Sequence, residues 1–583
     1  MGRAGKRGVC WLAVRGVLLA LALALAGCAT TDVLPSAPES APAPGVARAV
    51  LGCPCESPPA ASAKADENSE ATPKPHRPRT VPQALCAYFR CLCSPDHKRE
   101  EDREKEKDKN SNNEKAKEKD NGKEGQGGKS VGEGVKDKNG KTEKENGAEK
   151  DKENGAEKAK ENGAKEKEKE KEPADAWYSA HFQTTVVTQI HNRFNSPYLG
   201  PNSLQPGEGD ATSLTSTLFL DLRLWEGGEL IFNPELAGGR GFSGSSGIAG
   251  FPNGEITRAG TPTPTPYFAR FYLRETWGLG DEMETVKDGA NEIAGQRPVH
   301  RLTLNVGKFA ATDFADDNDY SHDPRKQFLP WSLIYNGAWD YPANVRGYTY
   351  GIALDYNTKW WTLTYAVLAE PSFANGAPLD PHILKANGHV LEWERRWKIN
   401  EHPGSLRLMA FLNHAHMGNY REALALMPQG PDVTATRAYR LKYGFGLSWD
   451  QEVTKDLGVF ARLGWADGRT EAWAFTAMDE LAELGLALKG RCWCRPNDVA
   501  GVAVACGGLA SPHRDYLAAG GLDFIIGDGK LRYGPEEIFE TYYNYEVRKG
   551  INVTLDTQAV NHPAYNRDRG PVWIGSIRVH FEY

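Results

Sequence analysis

Alternation of apolar and polar residues, renewed in segment after segment from Trp177 to Tyr583, constrains this chain more than any other feature. In Thr217-Leu-Phe-Leu-Asp-Leu-Arg-Leu224 the leucines fall on every second residue, with Asp221 and Arg223 on the other face, which is the period of a β-strand. The stripe returns as Leu302, Leu304 and Val306, as Leu406, Leu408, Ala410 and Leu412, and as Ile551, Val553 and Leu555. Leu457, Val459, Ala461, Leu463 and Trp465 form another, as do Tyr348, Tyr350, Ile352, Leu354 and Tyr356. Formal charges punctuate such segments: Arg270 and Arg274, Glu392 and Glu394, Arg462, Arg578. A soluble sandwich also alternates. Length separates the two, because many of these segments alternate over the roughly 9 to 11 residues that a tilted strand needs to cross a bilayer.

Aromatic residues add a second argument. Fourteen of the 15 Trp and 21 of the 22 Tyr lie after residue 174, so the structured part begins there. Trp225, Trp277, Trp360, Trp361, Trp397, Trp449 and Trp465 fall at or near expected strand ends, where amphipathic rings favour the two membrane interfaces. No long amphipathic helix is present in this region to cover a sheet. Ile577, Val579, Phe581 and Tyr583 share one face of the last strand, which resembles the terminal signal read by the outer-membrane barrel assembly machinery. Residues 175–583, at roughly 25 per strand with its connection, give about 16 strands, and closure leaves no edge exposed. The expected fold is all-β: a closed antiparallel transmembrane barrel with a disordered N-terminal extension.

The extension is a different kind of polymer. A mean hydropathy of -0.57 excludes a polytopic helical membrane protein, and only Gly16–Ala26 is apolar enough to consider as a membrane helix. Those 11 residues fall short of the roughly 20 that span a bilayer. Preceded by Arg3, Lys6, Arg7 and Arg15, they read as the apolar core of a secretory signal. Leu25-Ala-Gly-Cys28 resembles a bacterial lipobox, which makes residues 1–27 a signal peptide and Cys28 the lipidation site; Ala29 then favours outer-membrane sorting. Residues 28–96 are rich in Pro, Ala and Cys. The tract 97–172 holds 23 Lys+Arg and 23 Asp+Glu with no aromatic residue, and cannot bury a core. As a coil this linker spans roughly 50 Å, and it offers a mixed-charge surface to peptidoglycan.

Other chemistries find little support. A net charge of -7 argues against nucleic-acid binding, since no cationic excess exists to displace counterions from phosphates. Cys53, Cys55, Cys86, Cys91 and Cys93 could form disulfides or ligate soft metals, but C-x-C pairs without histidine spacing are a weak zinc signal. For Cys492, Cys494 and Cys506 a bridge from either of the first two across a loop is one option. Ser321-His322-Asp323 contains triad residue types, yet triads assemble from separated segments, and the chain has no G-x-S-x-G or H-E-x-x-H. Neither an enzyme nor a cofactor is expected.

Several motifs then align. Phe232-Asn-Pro-Glu-Leu236, Gly238-Gly-Arg-Gly241, Gly250-Phe-Pro-Asn-Gly254, Val306-Gly-Lys-Phe309, His322-Asp-Pro-Arg325 and Gln327-Phe-Leu329 resemble the carbohydrate-selective porin family. Asn336-Gly-Ala-Trp-Asp-Tyr-Pro342, Arg346-Gly347, Tyr516-Leu-Ala-Ala-Gly-Gly521 and Asn566-Arg-Asp-Arg-Gly-Pro571 continue the resemblance, which covers about 175–583. It implies a 16-stranded barrel in the outer membrane of a Gram-negative-type bacterium, passing sugars by facilitated diffusion, without cofactor.

The residues themselves supply a pore. Asp313, Asp316, Asp317 and Asp319 form an acidic patch within a long connection between expected strands, Ala310 to Val345, long enough to fold into the mouth. Their carboxylates are candidate acceptors for sugar hydroxyls; Arg270, Arg274, Arg301, Arg346, Arg462 and Arg578 are candidate pore cations. Tyr320, Trp331, Trp339 and Tyr341 are candidates for stacking on sugar faces. An acidic constriction also attracts hard cations, so a divalent-cation porin, for example for manganese, is the alternative on the same barrel. A lipid-anchored structural tether is the alternative of another class. Outer-membrane lipids and small sugars are the expected partners, with the linker in the periplasm and a monomer favoured.

Overall fold

The computed structural model describes residues 176–256, 262–426 and 430–583. The signal peptide, Cys28, the Pro/Ala/Cys-rich segment and the charged linker lie outside the described residues. The strands are β1 (Tyr178–His191), β2 (Ala211–Trp225), β3 (Gly228–Gly239), β4 (Thr265–Gly278), β5 (Met283–Val286) and β6 (Gly295–Pro298). There follow β7 (Arg301–Phe309), β8 (Thr349–Asn357), β9 (Trp361–Ala369), β10 (Asn387–Ile399), β11 (His402–Met417) and β12 (Ala438–Glu452). The last six are β13 (Leu457–Ala466), β14 (Glu480–Gly490), β15 (Arg495–Gly508), β16 (Glu536–Arg548), β17 (Ile551–Asn561) and β18 (Val572–Glu582). All but β5 and β6, which form a small hairpin, close one antiparallel barrel. Closure is made by β1 on β18, from Gln183 opposite Glu582 to His191 opposite Ile574. Every ladder group therefore has a neighbour, as a bilayer requires.

Parity decides which side chains meet lipid. Leu218, Leu224, Leu408, Leu412, Leu463 and Leu555 are exposed on the outer surface, while Asp221, Arg407, Arg462 and Asp556 from the same strands are buried inside. Moving each such leucine out of water into lipid is worth roughly 1.5–3 kcal/mol, so the outward stripes hold the barrel in the membrane. Trp225, Trp277 and Trp360 ring one end at about half exposure, and Trp465 and Trp573 lie near the other. One stripe is shorter than its sequence suggests. Tyr350, Ile352 and Leu354 face out, but Tyr348 precedes β8 and turns inward, where it is buried.

The two ends differ in their connections. At one, β2–β3, β8–β9, β10–β11, β12–β13, β14–β15 and β16–β17 are joined by two to four residues. At the other, longer connections include, among the described residues, 192–210, 240–256 with 262–264, 310–348, 370–386, 418–426 with 430–437, 467–479, 509–535 and 562–571. These carry helices α1 (Trp331–Ile334), α2 (Tyr420–Ala425) and α3 (Ser511–Ala518). Their apolar residues pack within the bore: Phe251, Trp331, Tyr341 and Phe475 belong to one buried cluster. Cys492 and Cys494 sit in the β14–β15 turn and Cys506 near the far end of β15. At about 3.3 Å rise per residue no disulfide joins either of them to Cys506.

Candidate pore constriction

Loop 310–348 leaves β7 at the buried Phe309 and crosses the bore. Its anchoring points follow one another around the wall. The Asp316 N–H donates to Glu392 Oε2 on β10 at 2.8 Å, and Asn318 Nδ2 to Ser448 Oγ on β12 at 3.1 Å. On the far side the Leu329 N–H donates to Glu540 Oε1 on β16 at 2.9 Å, Asn544 Nδ2 to Lys326 O at 2.8 Å, and Arg578 of β18 to Gln327 O at 2.8 Å and to Pro324 O. A loop tied to strands on opposite walls divides the lumen.

Two buried ion pairs hold it. Arg462 of β13 meets Asp316 at 2.9 Å and Glu483 of β14 at 2.8 Å, and donates to the carbonyls of Leu333 (3.1 Å) and Ser321 (2.7 Å). Asp316 itself adopts a left-handed backbone, φ 63°, a conformation that aspartate tolerates better than most residues. Lys442 of β12 meets Asp340 at 3.0 Å, and that carboxylate also accepts the N–H groups of Trp473, Ala474 and Phe475. Desolvating such charges is costly and offsets much of their attraction, while breaking one pair leaves an uncompensated buried charge.

The sequence candidates therefore divide. Arg462, Arg578 and Asp316 are buried and position the loop, which moves them from pore lining to scaffold. Arg270 grips Asp313 with two hydrogen bonds, 2.7 and 2.5 Å, and lies 5.4 Å from the Tyr348 ring centre. Arg346 stacks on Tyr267 at 4.1 Å. Arg274 pairs with Glu229 at 3.2 Å and Arg301 with Glu284 at 2.9 Å. Asp317 and Asp319 are exposed, and Asp317 borders the open space beside the loop. Burial works to raise the Asp317 pKa, but His322 and Arg407 outweigh it and hold the carboxyl below the usual range. The Asp319 carboxyl is partly desolvated by the surrounding walls and, with Asp450 and Asp317 nearby, is pushed up to about 6.

The aromatic candidates need correction. Trp331, Trp339 and Tyr341 are at most 3% exposed. Tyr341 stacks on Phe475 at 5.1 Å, and Trp331 packs against Phe251 and Phe475, so these rings have no open face for a sugar. Tyr320 is half-buried, its ring against Gly458, where a Cβ would collide with it. Ser321 donates to Leu333 O, which leaves no triad with His322 and Asp323.

Beside the loop an open cavity of about 330 Å³ remains, bordered by Asp313, Phe314 and Asp317 on one side and by β4 and β7–β11 on the other. Six carboxylates and four arginines line it, Arg407 among them, held between Glu394 (3.0 Å) and Asp450 (2.6 Å). No motif marks Arg407 in the sequence; only its position between Leu406 and Leu408 gives it inward parity. Paired charges with spare N–H groups and lone pairs can exchange hydrogen bonds with passing hydroxyls.

A closed sixteen-stranded barrel whose bore is narrowed by an inserted, charged loop is an outer-membrane porin, a passive channel and not an enzyme. The carbohydrate-selective porin family, OprB, matches residues 219–583, and the chain belongs to that family. The high-pH structure of Pseudomonas putida OprB is 17% identical and covers 70% of this chain and 94% of that one, at a TM-score of 0.53. The outer membrane channel DcaP of Acinetobacter baumannii is 8% identical, covering 70% and 97% of the two chains, at a TM-score of 0.38. The likeness to the Pseudomonas putida protein is one of fold. No curated protein sequence matches the chain.

Proposed function

We propose that this porin passes carbohydrates and other small polar solutes by facilitated diffusion along the cavity beside loop 310–348. The observation that carries the reading is the loop's attachment to opposite walls, which leaves a polar passage lined by mutually paired charges. Such a lining offers hydrogen bonds to a neutral solute without holding an ion strongly. Stepwise channels in planar bilayers, with ion current reduced by added glucose, test it; an unblocked current contradicts it.

The excess of carboxylates over arginines at the cavity favours a second reading, divalent-cation permeation. Asp313, Asp317, Asp319 and Arg270, Arg274, Arg301 and Arg346 are the proposed lumenal residues, with Tyr320 the remaining stacking candidate. The short-turn end faces the periplasm, as in bacterial barrels generally. There the 97–172 linker is the proposed spacer toward peptidoglycan, and Cys28 the proposed acyl anchor after removal of 1–27.

A further inference from the structure

The connection between β4 and β7 departs from all others at the turn end. Where the other six use two to four residues, 279–300 carries the β5–β6 hairpin. Its tip is fastened to the inner wall: Ser179 Oγ donates to Gly289 O at 3.1 Å, Asn233 Nδ2 to Asn291 Oδ1 at 2.8 Å, and Arg274 Nη1 to Asn291 O at 3.1 Å. His181 faces Asp288 at 3.2 Å, and Ile293 is only 3% exposed. Ser179, His181, Asn233 and Arg274 all point into the bore, so the tip lies inside the barrel beneath β1, β3 and β4.

The other flank of the hairpin meets the passage. Arg297 lies between Glu284 and Glu292, at 3.2 Å from each, and Glu284 also meets Arg301 at 2.9 Å. Arg297, Arg301 and Asn357 border both the 330 Å³ cavity and a second of about 420 Å³ at the turn end. A solute moving between the two passes this group. Two glutamates and two arginines cancel in charge, so an ion gains no net attraction for the hydration it sheds, whereas a hydroxyl finds both donors and acceptors.

We propose that the 279–300 hairpin is a second selectivity element, an exit constriction that favours neutral polyhydroxylated solutes, with Arg297 as its specificity-determining residue. The inference rests on the porin reading above. Glu282 O accepts from the Val299 N–H at 2.8 Å, so replacing residues 283–298 with Asn-Gly closes the ladder as an ordinary tight turn. Loop and hairpin act as resistances in series, so this deletion raises single-channel conductance, by about twofold where the two constrictions contribute equally, and admits longer oligosaccharides in liposome swelling. Arg297→Gln, which keeps the hairpin, shifts the reversal potential in a KCl gradient toward cations because Glu292 loses its partner. Heat-modifiable migration establishes that each variant has assembled; if the deletion does not assemble, Arg297→Gln decides. Conductance and selectivity equal to those of the full chain in every assembled variant overturn the hairpin's role. A full-length protein that forms no channel overturns the porin reading instead.

Discussion

Asp317 and Asp319 are the proposed lumenal acids of loop 310–348 whose carboxylates do not tie the loop to a strand, that of Asp317 meeting only Asn318 and His322 of the same loop, and neutralising them isolates its field. In the Asp317→Asn, Asp319→Asn variant the amide at 317 still accepts the Asn318 N–H, which is 2.8 Å from Asp317 Oδ1, so the local turn survives. A unit charge 4 Å away is worth about 1 kcal/mol even in the dielectric of water, which is about a fivefold bias in local cation population per carboxylate. With the Asp319 pKa near 6, about ten in eleven of these groups are ionised at pH 7 and about one in eleven at pH 5. Cation preference in the unmodified channel should therefore fall as pH drops from 7 to 5, and in Asp319→Asn it should fall less. Reversal potentials across planar bilayers in KCl gradients measure this. The effect should be larger near 0.01 M salt, where the screening length is about 30 Å, than at 1 M, where it is about 3 Å. Equal reversal potentials for the double variant and the parent at pH 7 and low salt would refute the placement of these carboxylates beside the conducting path.

Three further outcomes are expected. Arg462→Met leaves Asp316 and Glu483 as uncompensated buried acids, a cost of about 3–5 kcal/mol against loop docking; the barrel should remain heat-modifiable while its channels become noisier and larger, and quiet parental conductance would contradict the pinning role. Cys28→Ser should abolish palmitate labelling and keep channel activity, because the outward leucines anchor the barrel independently; equal labelling of both proteins removes the lipidation site. Deleting 97–172 should leave an assembling, conducting barrel, since that tract has no apolar surface to contribute, and failed assembly would show that the linker serves folding.

The barrel was legible because strand parity is written residue by residue: Leu406, Arg407 and Leu408 already say lipid, lumen, lipid. The tryptophans at strand ends were legible for the same reason. What a loop does inside the bore was not. Asp316 and Asp319 look equivalent in sequence, and only the register of β13 brings Arg462 under the first and leaves the second facing water. Trp331, Trp339 and Tyr341 suggest sugar platforms by composition, yet loops 240–264 and 467–479 bring Phe251 and Phe475 across to cover two of them. Those contacts join residues far apart in the chain, and no local pattern encodes them. The β5–β6 hairpin left a fainter trace, an unusually long polar stretch between two clear membrane strands.

Liposome swelling shows directly whether the loop-narrowed bore is a passage for neutral sugars. Proteoliposomes placed in isotonic glucose, in larger oligosaccharides and in manganese chloride report each permeation rate optically. Rapid swelling is expected in glucose, with rates that decline with oligosaccharide length and no advantage for manganese. Swelling in manganese chloride without swelling in glucose would contradict it and make the acidic lining a cation path.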